Sequence, residues 1–382
     1  MRSNKISNSA LINMLNQQIF YADKLFTGDE WLHDYAVVVD GYIIKEIVPI
    51  SAIGSEMQVV GFEECILIPA FIDLQIYGAY GKLLAVYPEA ESLYKLNDYC
   101  RKGGAVVSLP TVATNSYEVF RHSIDAINDY WKQGGEGILG IHLEGPWIHV
   151  AKRGAHIETF IHSPTFDEVK EILDYGKDVI KMITLAPELC SDEIIKYILN
   201  AGIVISAGHS NATYDEARQS FEKGITAATH LYNAMSPLQH RNPGLVGAIL
   251  DDDKVMASII PDGYHVDFAA IRIAKKILGE RLFAITDAVT DTVTGAYQHY
   301  LAGDKYEAAG ILSGSALNMI KAFQNLVNKA RIETGEAIRM CSLYPARVLK
   351  IDDRYGKIAP GYKAAFNILD KNLELIKITG SH

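Results

Sequence analysis

Apolar positions recur along the chain with two different periods, and the period changes near residue 66. Before that point, short segments such as YAVVVDGYIIKEIVPI are rich in β-branched residues and are interrupted by Gly and Asp, which is typical of antiparallel strands. Asp40-Gly41 predicts a hairpin, because this dipeptide favours a two-residue turn. After residue 66, apolar strand-like segments alternate with longer segments whose apolar residues recur every three or four positions, which indicates helices.

Eight strand candidates follow one another in the second region. They are LIPAFIDLQ, AVVSLPTVAT, GILGIHLEG, VIKMITLAPE, GIVISAGHS, AATHLYNAM, VMASIIPDGYH and LFAITDAV. Helical patterns lie between them, among them SYEVFRHSIDAINDYWKQ, TFDEVKEILDYGKD, SDEIIKYILNA, TYDEARQSFEKG and FAAIRIAKKILG. Eight strand-then-helix units predict an α/β fold, a (β/α)8 barrel of the TIM type, because an open doubly wound sheet usually has six strands.

The two chain ends share a pattern of short strand-like segments, which differs from the alternating strands and helices of the barrel region. A further helix, LNMIKAFQNLVNKARI, follows the eighth strand, and the tail YGKIAPGYKAAFNILDKNLELIKI returns to short strand-like pieces. We therefore predict that residues 1–67 and 358–382 form one small β-sandwich domain, and that residues 68–357 form the barrel.

Composition and charge narrow the class of protein. The chain has 382 residues, 49% of them hydrophobic, which is enough for a large core. The net charge is −10 and Lys and Arg form no cluster, so we expect neither nucleic-acid binding nor a membrane-surface patch. No apolar run reaches the roughly eighteen residues of a transmembrane helix, and the N-terminal MRSNKISNSALINMLNQQ lacks the apolar core of a signal peptide.

Cysteine usage favours a reducing compartment. The four cysteines are scattered without CxxC spacing, which argues against a disulfide scaffold or a thiolate zinc site. We therefore expect the protein to be cytoplasmic.

Polar residues end most of the predicted strands, and a barrel carries its chemistry at those ends. The residues are Asp73, Gln75, Glu144, His209, His230, His265 and Asp287. Any one of them alone would more often be a hydrogen-bonded or capping side chain. Their joint occurrence favours an active site. By contrast, His142 lies one layer deeper and is predicted to be packed inside the barrel, and loops or helix surfaces are predicted for His33, His122, His149, His162, His299 and His382.

Glu144, His209 and His230 together predict a metal centre. One carboxylate and two imidazoles from three strands suit a catalytic zinc with an open fourth position, although iron, cobalt or manganese would accept the same ligands. Asp287 could then exchange the proton of an attacking water.

Seven motifs, in order and in spacing, resemble the N-acetylglucosamine-6-phosphate deacetylases of the amidohydrolase superfamily. They are HLEGPW, GHSNATYDEA, THLYNAM, RNPGLVG, PDGYHV, ITDAV and GSALNM. The resemblance implies a barrel with a small β-sandwich, and metal-dependent hydrolysis of the acetamido group to glucosamine 6-phosphate and acetate. It implies that Glu144, His209 and His230 are the metal ligands, that Asp287 is the catalytic acid/base, and that His265 contacts the acyl carbonyl or amide.

The same resemblance implies substrate contacts elsewhere in the chain. His156 matches a substrate-contacting histidine, and Asn233, Ala234 and Arg241 match the sugar-phosphate subsite. In this family the Arg comes from the neighbouring subunit, which implies a homodimer whose sites Arg241 completes. The chain departs from the family's common pattern at Tyr77, in the loop SPLQHRNPG and in the tail segment AAFNILD. Many amidohydrolases also carry an H-x-H pair after the first strand, but here the chain reads Asp73-Leu-Gln75-Ile-Tyr77, so we predict a single divalent metal ion.

Three alternatives remain at this point. The substrate could be N-acetylgalactosamine 6-phosphate, because no motif senses the 4-hydroxyl. A related barrel could open cyclic amides or deaminate bases, although such enzymes usually need the missing H-x-H or a bridging lysine. A catalytically silent barrel would need none of the ligands that this chain has.

Overall fold

The structure is a computed structural model that describes residues 17–380. Residues 1–16, on which the expectation about a signal peptide largely rests, and His382 lie outside the described residues.

Eight parallel strands form the barrel predicted from the sequence, and we label them β1 to β8 in chain order. They are β1 (Phe71–Ile76), β2 (Ala105–Ala113), β3 (Ile141–Glu144), β4 (Ile180–Leu185), β5 (Val204–Ala207), β6 (Ala227–Ala228), β7 (Met256–Ile259) and β8 (Leu282–Ala284). Each strand pairs with the next one along the chain. The ends of the sheet meet where Ile76 bridges Ala288 in parallel and the Asp287 amide donates to the Gln75 carbonyl at 2.9 Å.

A helix follows every barrel strand. The helices are α1 (Ala90–Lys102), α2 (Tyr117–Lys132), α3 (Phe166–Tyr175), α4 (Asp192–Asn200), α5 (Tyr214–Glu222), α6 (Gly244–Asp251), α7 (Phe268–Leu278) and α8 (Met319–Asn328), with α9 (Thr334–Cys341) and α10 (Leu343–Val348) after them. Capping residues explain where two of these helices begin. Thr165 and Thr213 each form a capping box with the Glu three residues later, which satisfies amides that the helix itself leaves unpaired.

Strands from both chain ends join in one seven-stranded sheet, as predicted for the small domain. The strands are Gln17–Phe26, Trp31–His33, Tyr35–Asp40, Ile43–Pro49, Val59–Pro69, Phe366–Leu369 and Leu375–Thr379. The expected hairpin at Asp40-Gly41 is present. Because side chains alternate between the faces of a strand, Ile19 and Phe20 pack into two different apolar clusters.

The beginning of the first barrel strand was predicted too early. Leu67 lies in Val59–Pro69, which pairs with Gln17–Phe26 and Phe366–Leu369 in the end sheet, and β1 begins only at Phe71. Apolar residues continue from the end sheet into β1 almost without interruption, so the sequence pattern does not mark the change of sheet. The exact division into 1–67, 68–357 and 358–382 stays a prediction.

Several elements near the strand ends also differ from the sequence-based expectation. Strand β6 has only two residues, because His230 and Tyr232 adopt positive φ angles of 39° and 80° and leave the β conformation. A three-stranded antiparallel sheet (Tyr300–Ala302, Lys305–Ala308, Ile311–Ser315) and helix α1 were not predicted.

Within residues 17–380, every helix is too short or too polar to cross a lipid bilayer.

Candidate metal centre

The barrel brings Glu144, His209 and His230 together. Glu144 is the last residue of β3, and the two histidines follow β5 and β6. Glu144 Oε1 lies 3.2 Å from His209 Nε2 and 3.1 Å from His230 Nε2, and the two Nε2 atoms are 3.1 Å apart. All three side chains are at most 5% exposed.

Unusual backbone conformations place these side chains at the strand ends. His209 and His230 have φ angles of 46° and 39°, and Asp287 after β8 has 54°. This left-handed region is costly for a residue with a Cβ, and such conformations cluster at functional sites. Three of them at one barrel mouth are independent support for a functional site there.

The facing atoms suit a cation better than they suit one another. The Nδ1–H of His209 donates to the Lys152 carbonyl at 2.9 Å, which leaves the Nε2 lone pair directed at the Glu144 carboxylate. Burial lowers the pKa of His230, so its ring is neutral near pH 7. His230 Nδ1 has no hydrogen-bond partner within residues 17–380. A carboxylate oxygen and two imidazole nitrogens directed at one another in a buried site fit a divalent metal.

His156, which was expected to contact the substrate, also adjoins Glu144 in this centre. Its Nε2 is 3.2 Å from Glu144 Oε2, and its Nδ1 is 2.7 Å from the Thr114 hydroxyl. Glu144, His156 and His209 also form a set whose ligand atoms lie within 4.8 Å of one another. We favour His230 over His156 as the third ligand, because the Nε2 atoms of His209 and His230 approach the same carboxylate oxygen.

An ionised carboxylate lies among three buried histidine rings in this centre. Burial alone would raise the pKa of Glu144, but the neighbouring His156, His209 and His230 hold it well below its usual value. Burial lowers the pKa of His156 to about 4. Neutral imidazole and ionised carboxylate are the forms that bind metals.

Gln75 and Tyr77, at the end of β1, join Glu144 to Asp287. The Gln75 side-chain amide lies 3.0 Å from Glu144 Oε1 and 2.8 Å from Asp287 Oδ1. The Tyr77 hydroxyl contacts Glu144 Oε2 and lies 3.3 Å from Asp287 Oδ1. The position where an H-x-H pair was missing is therefore occupied by two neutral hydrogen-bonding groups.

Asp287 and His265 face each other across the mouth of the barrel. His265 Nε2 lies 3.9 Å from Asp287 Oδ2, and its Nδ1 donates to Asp262 Oδ2 at 2.6 Å. Burial and the charge of Glu144 raise the pKa of Asp287 well above its usual value. A cation beside these carboxylates would act in the opposite direction. Asp262, which also accepts the Tyr264 and His265 amides, was not among the predicted residues.

The predicted phosphate subsite is only partly brought to the centre. Asn233 and Ala234 lie three and four residues after His230, and Asn233 Nδ2 is 3.3 Å from the His230 carbonyl. Ala234 has a φ of 49° and accepts from the Ser210 amide at 3.2 Å. Arg241 is exposed and makes no hydrogen bond or ion pair with any residue of the described chain.

A small cavity, partly open to solvent, adjoins Glu144. Its walls include Tyr77, Leu83, Val289, Tyr297 and His299. His299 lies in a loop, as predicted, but it is buried there: it is 5% exposed and its Nδ1 is 2.8 Å from the Ser313 hydroxyl. His142 is packed as expected, with Nε2 2.8 Å from the Thr184 hydroxyl. Leu83, Tyr297 and His299 lie on the segments after β1 and β8, outside every motif quoted from the sequence.

Comparisons with known proteins agree with this geometry. Residues 66–381 match the model of the amidohydrolase family, and residues 23–62 match that of the NagA composite domain. The N-acetylglucosamine-6-phosphate deacetylase of Haemophilus influenzae is 34% identical over 363 residues, covering 92% of this chain and 95% of that protein.

Two further relatives mark the range of the likeness. An N-acetylgalactosamine-6-phosphate deacetylase of Escherichia coli O157:H7 is 30% identical over 374 residues, 94% of this chain and 97% of that protein. The crystal structure of the N-acetylglucosamine-6-phosphate deacetylase from Pasteurella multocida superimposes with a TM-score of 0.91 at 34% identity, covering 95% of this chain and 98% of that one.

Proposed function

Because the chain belongs to the amidohydrolase family, we propose that it is a metal-dependent deacetylase that converts N-acetylglucosamine 6-phosphate to glucosamine 6-phosphate and acetate. The convergence of the Glu144 carboxylate with two imidazole nitrogens at the barrel mouth carries the proposal. This reaction belongs to amino-sugar catabolism or cell-wall recycling.

In this proposal Glu144, His209 and His230 hold one divalent ion, with zinc as the first choice and iron, cobalt or manganese as alternatives. The bound ion supplies Lewis acidity toward the amide carbonyl and the attacking water. Asp287 accepts the proton of the water and returns it to the leaving amine, a role supported by its burial beside the centre. A carboxylate that exchanges a proton in this way does not need to touch the metal directly.

His265 and His156 orient the acyl group in this proposal. Because Nδ1 of His265 donates to Asp262, the neutral ring can accept a hydrogen bond from the substrate amide through Nε2, whereas stabilising a developing oxyanion requires the protonated ring. His156, anchored to the Thr114 hydroxyl, lies beside the cavity.

We assign the sugar phosphate to Asn233, Ala234 and Arg241. The planar guanidinium of Arg can meet two phosphate oxygens at once. Its exposure and lack of partners among residues 17–380 support a role in the site of a neighbouring subunit, and thus a homodimer. Four free cysteines support a reducing cytoplasmic location.

N-acetylgalactosamine 6-phosphate is the second candidate substrate. Relatives named for each substrate match at similar identity, 34% and 30% over at least 92% of this chain. The two sugars differ only at the 4-hydroxyl, so the catalytic centre serves either.

A deacetylation assay tests the proposal. Acetate release would be measured with both phosphosugars and with unphosphorylated N-acetylglucosamine, before and after chelation and after zinc is added back. We expect release from N-acetylglucosamine 6-phosphate that chelation abolishes and zinc restores. Faster release from the galacto sugar would reassign the substrate, and no release from any of them would refute the proposed function.

A further inference from the structure

The two oxygens of the Glu144 carboxylate have different surroundings. Oε1 faces His209, His230 and the Gln75 amide at 3.2, 3.1 and 3.0 Å. Oε2 contacts the Tyr77 hydroxyl and His156 Nε2. Only Oε1 therefore points toward both predicted imidazole ligands.

The Tyr77 hydroxyl donates its single proton to Glu144. The hydroxyl accepts from Gln75 Nε2 at 2.8 Å and has one proton to donate. Its two acceptors are Glu144 Oε2, at the shorter distance, and Asp287 Oδ1, at 3.3 Å. Glu144 is thus the acceptor of the proton, while Asp287 is held by Gln75.

Apolar packing outside the metal centre fixes the position of the Tyr77 hydroxyl. The Tyr77 ring packs against a small apolar cluster of Leu83, Val289, Tyr297 and Tyr306. These residues come from the segment after β1 and from the segment after β8, which together cover the cavity. The ring is therefore anchored in the cavity wall while the hydroxyl reaches the carboxylate.

We propose that Tyr77 is a positioning residue whose hydroxyl anchors Glu144 Oε2, so that the carboxylate binds the metal ion through Oε1 alone. This inference rests on the proposed metal centre. A carboxylate anchored through one oxygen keeps the other in place for the cation, and loss of such an outer hydrogen bond typically costs about 10- to 100-fold in metal affinity or activity.

The test compares zinc affinity of metal-free wild type, Tyr77→Phe and Tyr130→Phe, measured by competition with a chromogenic chelator. Tyr130→Phe is the matched control, because its hydroxyl donates to the Glu136 carbonyl at the far end of α2. We expect Tyr77→Phe to bind zinc about 10- to 100-fold more weakly and the control to match wild type. Turnover of Tyr77→Phe should rise with added zinc over a higher concentration range than turnover of wild type, because the hydroxyl acts through the metal ligand Glu144.

Phe keeps the ring that packs against the apolar cluster, and urea unfolding of the metal-free proteins checks that Tyr77→Phe folds like wild type. Equal zinc affinity in Tyr77→Phe and wild type would overturn the role of Tyr77 while leaving the metal centre intact. A wild-type protein that binds no zinc would overturn both.

Discussion

Asp73 closes the barrel at the junction of β1 and β8, and replacing it with Asn gives a prediction that depends on pH. Its side chain accepts a hydrogen bond from the Thr286 hydroxyl at 2.5 Å. It also accepts hydrogen bonds from the backbone amides of Thr286 at 3.2 Å and Gln75 at 3.3 Å. It is 1% exposed. Asn preserves the shape and one acceptor oxygen but cannot ionise, so the variant isolates the cost of the buried charge.

The size of the expected change in folding stability follows from the pKa of Asp73. Burial raises the pKa of Asp73 from 3.8 to about 6, although the hydrogen bonds from Thr286 and Gln75 oppose the rise. The native state therefore binds the proton more tightly than the unfolded chain does. The stabilisation that this proton provides is fully present below pH 3.8 and is lost as the pH rises through about 6. Two pKa units correspond to about 3 kcal/mol.

Urea unfolding of wild type and Asp73→Asn at a series of pH values between 4 and 8 measures this difference. We expect the stability of wild type relative to Asp73→Asn to fall by about 2 to 3 kcal/mol over that range. Asp129→Asn serves as the control, because that carboxylate is exposed on α2 and its side chain is 58% accessible. A difference between wild type and Asp73→Asn that is constant with pH would refute the reasoning, whatever its size.

Three further variants test the assigned roles. Asp287→Asn should lower kcat by about 10²-fold or more while zinc content and KM stay close to wild type, because it removes proton transfer only, and normal turnover would rule out that role. Arg241→Ala should raise KM by a factor equivalent to about 2 to 3 kcal/mol with little change in kcat, and an unchanged KM would place the phosphate elsewhere. Asp262→Asn should lower kcat about 10- to 100-fold by releasing the His265 ring, and kinetics equal to wild type would show that the bond has no part in catalysis.

The sequence was sufficient to predict the barrel and the convergence at its mouth, for one physical reason. Parallel strands of a closed sheet all end at the same rim, so residues as far apart along the chain as Glu144 and His230 meet once the strand ends are identified. That rule brings His209 and His230 to the rim beside Glu144, and their positive φ angles accompany the final approach to one carboxylate oxygen.

The contacts around that centre could not be predicted in the same way. The bridge from Gln75 and Tyr77 to Asp287 joins residues more than 200 positions apart through side-chain reach rather than strand register. The short β6 depends on the left-handed backbone of His230, which no glycine marks in the sequence. His299 lines the cavity beside the unpredicted three-stranded sheet, where its Nδ1 faces the Ser313 hydroxyl of the strand Ile311–Ser315.

The central claim is that Glu144, His209 and His230 share one metal ion, and anomalous X-ray scattering from crystals grown with zinc tests it most directly. We expect one zinc peak per chain at about 2.0 to 2.2 Å from Glu144 Oε1 and from the Nε2 atoms of His209 and His230. A peak that lacks any of these three ligands, a second peak of similar height beside Asp287, or no peak at all would contradict the account.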